Sequence, residues 1–267
     1  MLQTEQRNPN TMHIDQCSTQ EILELIQIEN RNAAEAVGRA IPQITKACDA
    51  IETQMRKGGR LIYIGAGSSG RLGVLDAAEC PPTYGVSPET VMGIMAGGKE
   101  CMFNAAENAE DIEENGKADV ISYGVGDGDV LVGISVAGGA KYVAGALVKA
   151  RELGAKTVAL TSNEETLIEK CADIAIVTDT GAEVLTGSTR LKAGTAHKMV
   201  LNMLTTCAMA KIGNVYENMM INLSPTNEKL KARCVRITSE ILHCSLLEAE
   251  KRLEENGWNI RSAVSKK

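Results

Sequence analysis

The sequence predicts an α/β fold, a doubly wound five-stranded parallel sheet with a helical pair before it and a small group of helices after it. Three observations carry this. Five short apolar runs recur between residues 60 and 178, and none alternates with polar residues. Strands buried on both faces have that pattern. Helical stretches separate the runs, so successive strands are joined by crossovers and lie parallel. Three loops of small and polar residues, 65–70, 135–140 and 161–164, follow the first, third and fourth runs. Ligands bind beyond the carboxyl ends of the strands in such a sheet.

Taken in order, residues 1–17 are polar and extended, with a turn at Asn8-Pro9-Asn10. Ser18-Thr19-Gln20-Glu21 is a capping box, and Ile22, Leu25, Ile26, Ala33, Ala36 and Val37 follow at helical spacing. A second helix after Pro42 places Ile44, Ala47, Cys48, Ile51 and Met55 on one face, giving an antiparallel pair. Strands are expected at 60–64, 91–95, 130–135, 157–161 and 174–178, and helices near 101–123, 140–153 and 164–171. The loop from Glu183 to Arg190 leads into a long helix whose apolar face carries Ala196, Met199, Val200, Met203, Leu204 and Cys207. Those methionines suit a core or a subunit interface. Arg190 and Lys192 oppose the dipole at the start of that helix. Either they meet an anionic ligand or they project into water. After Pro225 come a charged helix over 226–243, a second opened by the capping box Ser245-Leu246-Leu247-Glu248, and a third over 258–264. Three units result: an arm and helical pair at 1–57, the sheet domain at 58–224 and a helical subdomain at 225–267.

The most informative stretch follows the first strand: Gly65-Ala66-Gly67-Ser68-Ser69-Gly70-Arg71, continuing to Glu79-Cys80-Pro81-Pro82. A strand, a glycine turn and a helix start present free N–H groups to an anion. The dinucleotide pattern G-x-G-x-x-G fits, yet no acid stands at the tip of the second strand for a ribose hydroxyl. The P-loop pattern fails because Arg71-Leu72 replaces Lys-Ser/Thr. Two serines point to a monophosphate; a structural turn is the alternative.

Composition narrows the field. Net charge is −6 with no basic run, and the aromatics are Phe103, Trp258 and five tyrosines. Both weigh against nucleic acid. No run is long enough to span a membrane, and the polar start lacks the apolar core of a signal peptide. Eight cysteines without C-x-x-C spacing read as reduced thiols of a cytoplasmic protein. His13, His197 and His243 are dispersed, so no metal site is expected.

Four segments carry a resemblance: Thr4-Glu5-Gln6-Arg7-Asn8-Pro9, the stretch from Gly65 to Pro82, the block from Glu183 to Ala196, and Pro225-Thr226-Asn227-Glu228-Lys229-Leu230. Over almost its whole length the chain resembles the N-acetylmuramic acid 6-phosphate etherases. That resemblance implies a sugar isomerase (SIS) domain, a homodimer with sites near the interface, an amino sugar phosphate as substrate and no cofactor. The implied reaction removes D-lactate from C3 and leaves N-acetylglucosamine 6-phosphate. By the same matching, Glu79 is the acid that protonates departing lactate and Glu110 is the base at C2. The apolar neighbours of Glu79 lead to the expectation that desolvation raises its pKa. Ser68, Ser69, Gly67, Gly70, Ser135 and Gly138 are the expected substrate contacts, with Glu183, Ser188 and Lys192 as further candidates.

One loop departs from the pattern. Where the family has Ser-x-Ser-Gly-Arg-Thr-Pro, this chain has Ser135-Val136-Ala137-Gly138-Gly139-Ala140-Lys141. Two hydroxyls and a cation are missing. Backbone N–H groups remain, and Lys141 is the expected substitute charge. A non-catalytic sugar-phosphate regulator, like the glucokinase regulatory protein, and an isomerase of the same fold are the alternative readings.

Overall fold

The computed structural model describes residues 2–104, 108–223 and 225–265. Five strands, β1 (Leu61–Gly65), β2 (Val91–Met95), β3 (Val130–Ile134), β4 (Lys156–Thr161) and β5 (Ile174–Val177), form one parallel sheet in the order β2-β1-β3-β4-β5. The chain steps from β1 outward to β2, then returns to set β3 on the other side of β1. The order reverses there, and a crevice opens between the ends of β1 and β3.

Burial on both faces explains the unbroken apolar runs. Leu61, Tyr63, Val132, Val158 and Leu160 pack under α1 (Thr19–Arg39), α2 (Ile41–Met55), α3 (Gly67–Tyr84) and α7 (Lys192–Lys211). The alternate residues Ile62, Ile64, Leu131 and Ala159 pack under α4 (Glu113–Ser122), α5 (Lys141–Glu152) and α6 (Leu167–Cys171). Each large aliphatic side chain so buried contributes about 1.5–3 kcal/mol. α3 sits unusually close to the sheet: a Cβ on Gly73 would lie 2.8 Å from the Tyr63 Cβ.

α1 opens with the expected capping box, Ser18 and Glu21 bonding each other's backbone. α1 and α2 meet at Ala40 and pack on α7 more than on each other. The helix expected near 101–123 is broken. A 3-10 turn spans Lys99–Met102, Asn108 has a left-handed φ of 64°, and α4 begins only at Glu113. Part of that break, residues 105–107, lies outside the described residues. The interruption leaves Glu110 on a loop.

Beyond α7, β6 (Val215–Tyr216) and β7 (Met219–Met220) form an antiparallel hairpin too short to announce itself by alternation. α8 (Glu228–Leu242), α9 (Leu246–Glu255) and α10 (Ile260–Ser265) enclose their own core, in which Cys234, Ile237, Leu253, Ile260 and Ala263 meet Ile221 and Leu223. Among the described residues no helix is long and apolar enough to cross a membrane.

Candidate active site

A cleft of about 270 Å³ occupies the crevice at the ends of β1 and β3. Gly67, Ser68 and Ser69 line it from the first turn of α3. Gly67 begins the helix at φ 52°, with open space around its Cα, which lets the chain turn from strand into helix at once. No side chain caps this helix, and its first backbone bond is from the Gly70 N–H to the Ala66 carbonyl, 3.2 Å. The N–H groups of Gly67, Ser68 and Ser69 precede that bond, so they and two hydroxyls are available to an anion.

The second wall follows β3. Ser135 lines the cleft, and its Oγ accepts from the Gly138 N–H at 3.1 Å. Val136, the next residue, is anchored through its carbonyl, which accepts from the Ser162 N–H (2.9 Å), the Thr161 hydroxyl (3.1 Å) and the Asn163 amide (3.2 Å). Glu110 reaches the cleft from the loop before α4. Its carbonyl accepts from the Tyr142 N–H at 2.9 Å, which fixes the loop on the first turn of α5. Arg71 steadies the preceding segment by donating to the carbonyls of Cys101 (2.8 Å) and Met102 (2.9 Å). Its guanidinium is thereby committed to the protein.

Two glycines have structural parts instead of lining the cleft. A Cβ on Gly70 would lie 2.5 Å from the Gly65 carbonyl oxygen, so Gly70 permits the close approach of helix and strand. Gly138, at φ 75°, is closed in by Thr166, whose Cβ would stand 2.3 Å away from an added one.

Glu79 is also elsewhere. It lies on α3 ten residues beyond Ser69, about 15 Å along the helix at 1.5 Å per residue. Its neighbours Ala77 and Cys80 face the core, whereas Ala78 and Glu79 are exposed. The apolar composition around Glu79 therefore does not translate into burial, because helical spacing turns it to the opposite side. Within one chain it does not reach the cleft.

The block before α7 is structural as well. Glu183, fully buried, accepts from the N–H groups of Lys192 (3.2 Å) and Ala193 (2.9 Å) and so caps α7. Burial pushes its carboxyl up, against the lowering effect of those two bonds. The Lys192 ammonium forms a buried ion pair with Glu29 of α1. Burial alone would raise the Glu29 carboxyl, but bonds from Lys192 and Asn10 hold it below its ordinary value. The anion expected near Lys192 is thus a side chain of this protein. Ser188, half-buried, donates its N–H to the Leu185 carbonyl at 2.9 Å and does not line the cleft.

Two residues with polar side chains that were not foreseen as site residues also line the cleft: Thr189, from the loop before α7, and Glu5, from the N-terminal arm. The signal for Glu5 was its place in Thr4-Glu5-Gln6-Arg7-Asn8-Pro9. Among the described residues that line the cleft there are two carboxylates, Glu5 and Glu110, and no lysine or arginine. Lys141 is exposed and outside it. Among the described lining residues the donors open to a phosphate are N–H groups and hydroxyls. Among the described residues no group of three or more histidine, cysteine or acidic side chains is arranged to hold a metal.

Sheet order, crossovers and a serine-lined cleft at the switch point define a doubly wound α/β protein, and the family comparison makes its class that of the SIS domains. Residues 43–151 match the glucokinase regulatory protein N-terminal SIS domain, and residues 104–207 match the SIS domain. Among solved structures, a phosphoheptose isomerase from Francisella tularensis superposes with a TM-score of 0.55 at 18% identity, covering 73% of this chain and 99% of that one. A putative phosphosugar isomerase from Bacteroides fragilis gives 0.57 at 20% identity, covering 78% and 97%. At such identities the likeness is one of fold. The curated relatives are far closer. The N-acetylmuramic acid 6-phosphate etherase of Actinobacillus pleuropneumoniae serotype 5b is 50% identical over 261 residues, 98% of this chain and 86% of that protein. The one from Bacillus pumilus is 48% identical over 263 residues, 98% and 87%. This chain belongs to the N-acetylmuramic acid 6-phosphate etherase family.

Proposed function

We propose that the protein cleaves the D-lactyl ether of N-acetylmuramic acid 6-phosphate, releasing D-lactate and N-acetylglucosamine 6-phosphate. The observation that carries this reading is the convergence of Glu110 with Ser68, Ser69 and Ser135 in one cleft. The serines and the start of α3 take the phosphate. In the open-chain sugar the C1 aldehyde acidifies the C2 proton, and the lactyl oxygen on C3 is β to the carbonyl. Glu110 removes the C2 proton, the C3–O bond breaks, and water then adds at C3 of the unsaturated aldehyde. An acid must protonate the departing oxygen.

Glu79 supplies that acid from the second copy of a homodimer. Its exposure on α3 supports this. So does the neighbouring apolar groove of about 870 Å³ between α2 and α7, lined in part by Ile41, Ile44, Met199, Met203 and Cys207. Thr206 of that groove lies 3.4 Å from the Tyr84 hydroxyl of α3. The unbridged cysteines fit a cytoplasmic setting.

The test is release of D-lactate from the substrate. Glu110→Gln and Glu79→Gln should each lower turnover by about 10²–10⁴-fold. Co-expressing the two inactive variants forms mixed dimers in which one site has both glutamates, so about a quarter of normal activity should return. A silent mixture refutes action across the interface. Absence of lactate at high enzyme concentration refutes the etherase reading, and aldose–ketose interconversion in its place identifies an isomerase.

A further inference from the structure

We infer that Glu5 is a substrate-binding carboxylate, which accepts a hydrogen bond from a hydroxyl or amide N–H of the sugar at the end of the cleft remote from phosphate. The inference rests on reading the cleft as a sugar-phosphate site. Glu5 ends a 3-10 turn, Gln3–Glu5, and lines the cleft. Its neighbour Thr4 is fully buried. The Thr4 N–H donates to Asn163 Oδ1 (3.4 Å), and its hydroxyl accepts from Asn163 Nδ2 (3.0 Å). That same Nδ2 donates to the Val136 carbonyl, in the loop forming the second wall. Further along, the Asn8 amide donates to the Ala182 carbonyl (3.1 Å) and the Thr11 hydroxyl to the Val184 carbonyl (2.8 Å). With the Asn10 amide donating to Glu29 (3.1 Å), the arm is fixed at four places, and Glu5 is presented between the first two.

No described residue uses the carboxylate so presented. Among the described residues the Glu5 side chain makes no hydrogen bond or ion pair. Its Oε2 stands beside Gly187, at φ 73°, where an added Cβ would lie 3.2 Å away. With no cation among the described residues lining the cleft, a phosphate placed against Glu5 would be repelled. A neutral donor is the group that suits it, and sugars carry such donors on every carbon that keeps its hydroxyl or acetamido group. Ordering a free carboxylate beforehand spares the ligand that cost.

Glu5→Ala should weaken N-acetylglucosamine 6-phosphate binding about 10- to 100-fold, the range for a bond to a charged group. Inorganic phosphate should bind as before or tighter. Glu5→Gln, which keeps an acceptor oxygen, should lose less. Thermal stability should not move. Loss on glucose 6-phosphate as well assigns the bond to a hydroxyl, and loss on the N-acetylated sugar alone assigns it to the amide N–H. Unchanged affinity for both sugars, or an equal loss for inorganic phosphate, overturns the inference. Because these are equilibrium titrations, they read Glu5 even if the wild-type protein releases no lactate, so the two proposals fail separately.

Discussion

α3 and α7 begin in similar ways and put those beginnings to opposite uses. Each has glycine, serine or threonine at or just before its first turn, and each places its first N–H groups at the same end of the sheet. At α7, Glu183 accepts from Lys192 and Ala193, the Thr189 carbonyl takes the Gly194 N–H at 3.0 Å, and Lys192 is neutralised by Glu29. At α3 no side chain caps the helix and the first turn faces a cleft. The same unsatisfied backbone groups become a structural joint where a buried carboxylate meets them, and a ligand site where none does.

The contrast is open to direct attack. The largest effect is expected at the α7 joint. Lys192→Met removes one partner of a buried ion pair and strands the Glu29 charge, so denaturant unfolding should show a loss of about 3–5 kcal/mol. Ligand affinity of the molecules that remain folded should hardly change.

Next comes pH. His197, in the second turn of α7, is fully buried beside the Ser162 hydroxyl at 3.1 Å, and burial lowers its pKa to about 4. A histidine depressed in this way is neutral when folded and protonates more readily when unfolded. Its contribution is complete above about pH 6.5 and is lost as pH falls towards 4, by up to about 3 kcal/mol. Asp76 and Glu183, raised by burial, slope the other way. The difference between wild type and His197→Gln as a function of pH isolates the histidine. A flat difference would refute its neutral burial.

The smallest stability effect belongs to α3. Ser68 is exposed at the cleft, so Ser68→Ala should alter stability by less than about 0.5 kcal/mol. It should nonetheless raise KM for the sugar phosphate about 10-fold through loss of one bond to a charged oxygen. A stability loss without a change in KM would erase the distinction between the two helix starts.

These cases show what was legible beforehand. The strands were, because burial on both faces leaves its mark in single short runs such as Val130-Leu131-Val132. The α3 turn was, since Gly67 at positive φ and two serines are local features. Lys192 and Glu183 take structural parts that their local sequence does not announce: Lys192 pairs with Glu29, 163 residues away, and Glu183 accepts from the backbone at the start of α7. Glu79 was misjudged in burial since composition does not say which way a helical residue faces. The break at Asn108 went unseen, a non-glycine residue at φ 64° giving no composition signal, and it is this break that frees Glu110 from a helix. Glu5 was visible as part of a motif, but its position depends on Thr4 bonding Asn163, 159 residues away.

The arm that carries Glu5 has an implication for how the molecule is assembled. Its anchoring bonds span 159 residues to Asn163 and 173 residues to Val184. Such contacts close long loops, and their entropy cost is met only after the intervening sheet is formed. The arm is consequently expected to seat after the sheet has formed. During refolding, protection of the sheet amides should precede recovery of sugar-phosphate affinity, so ligand binding marks the final docking step.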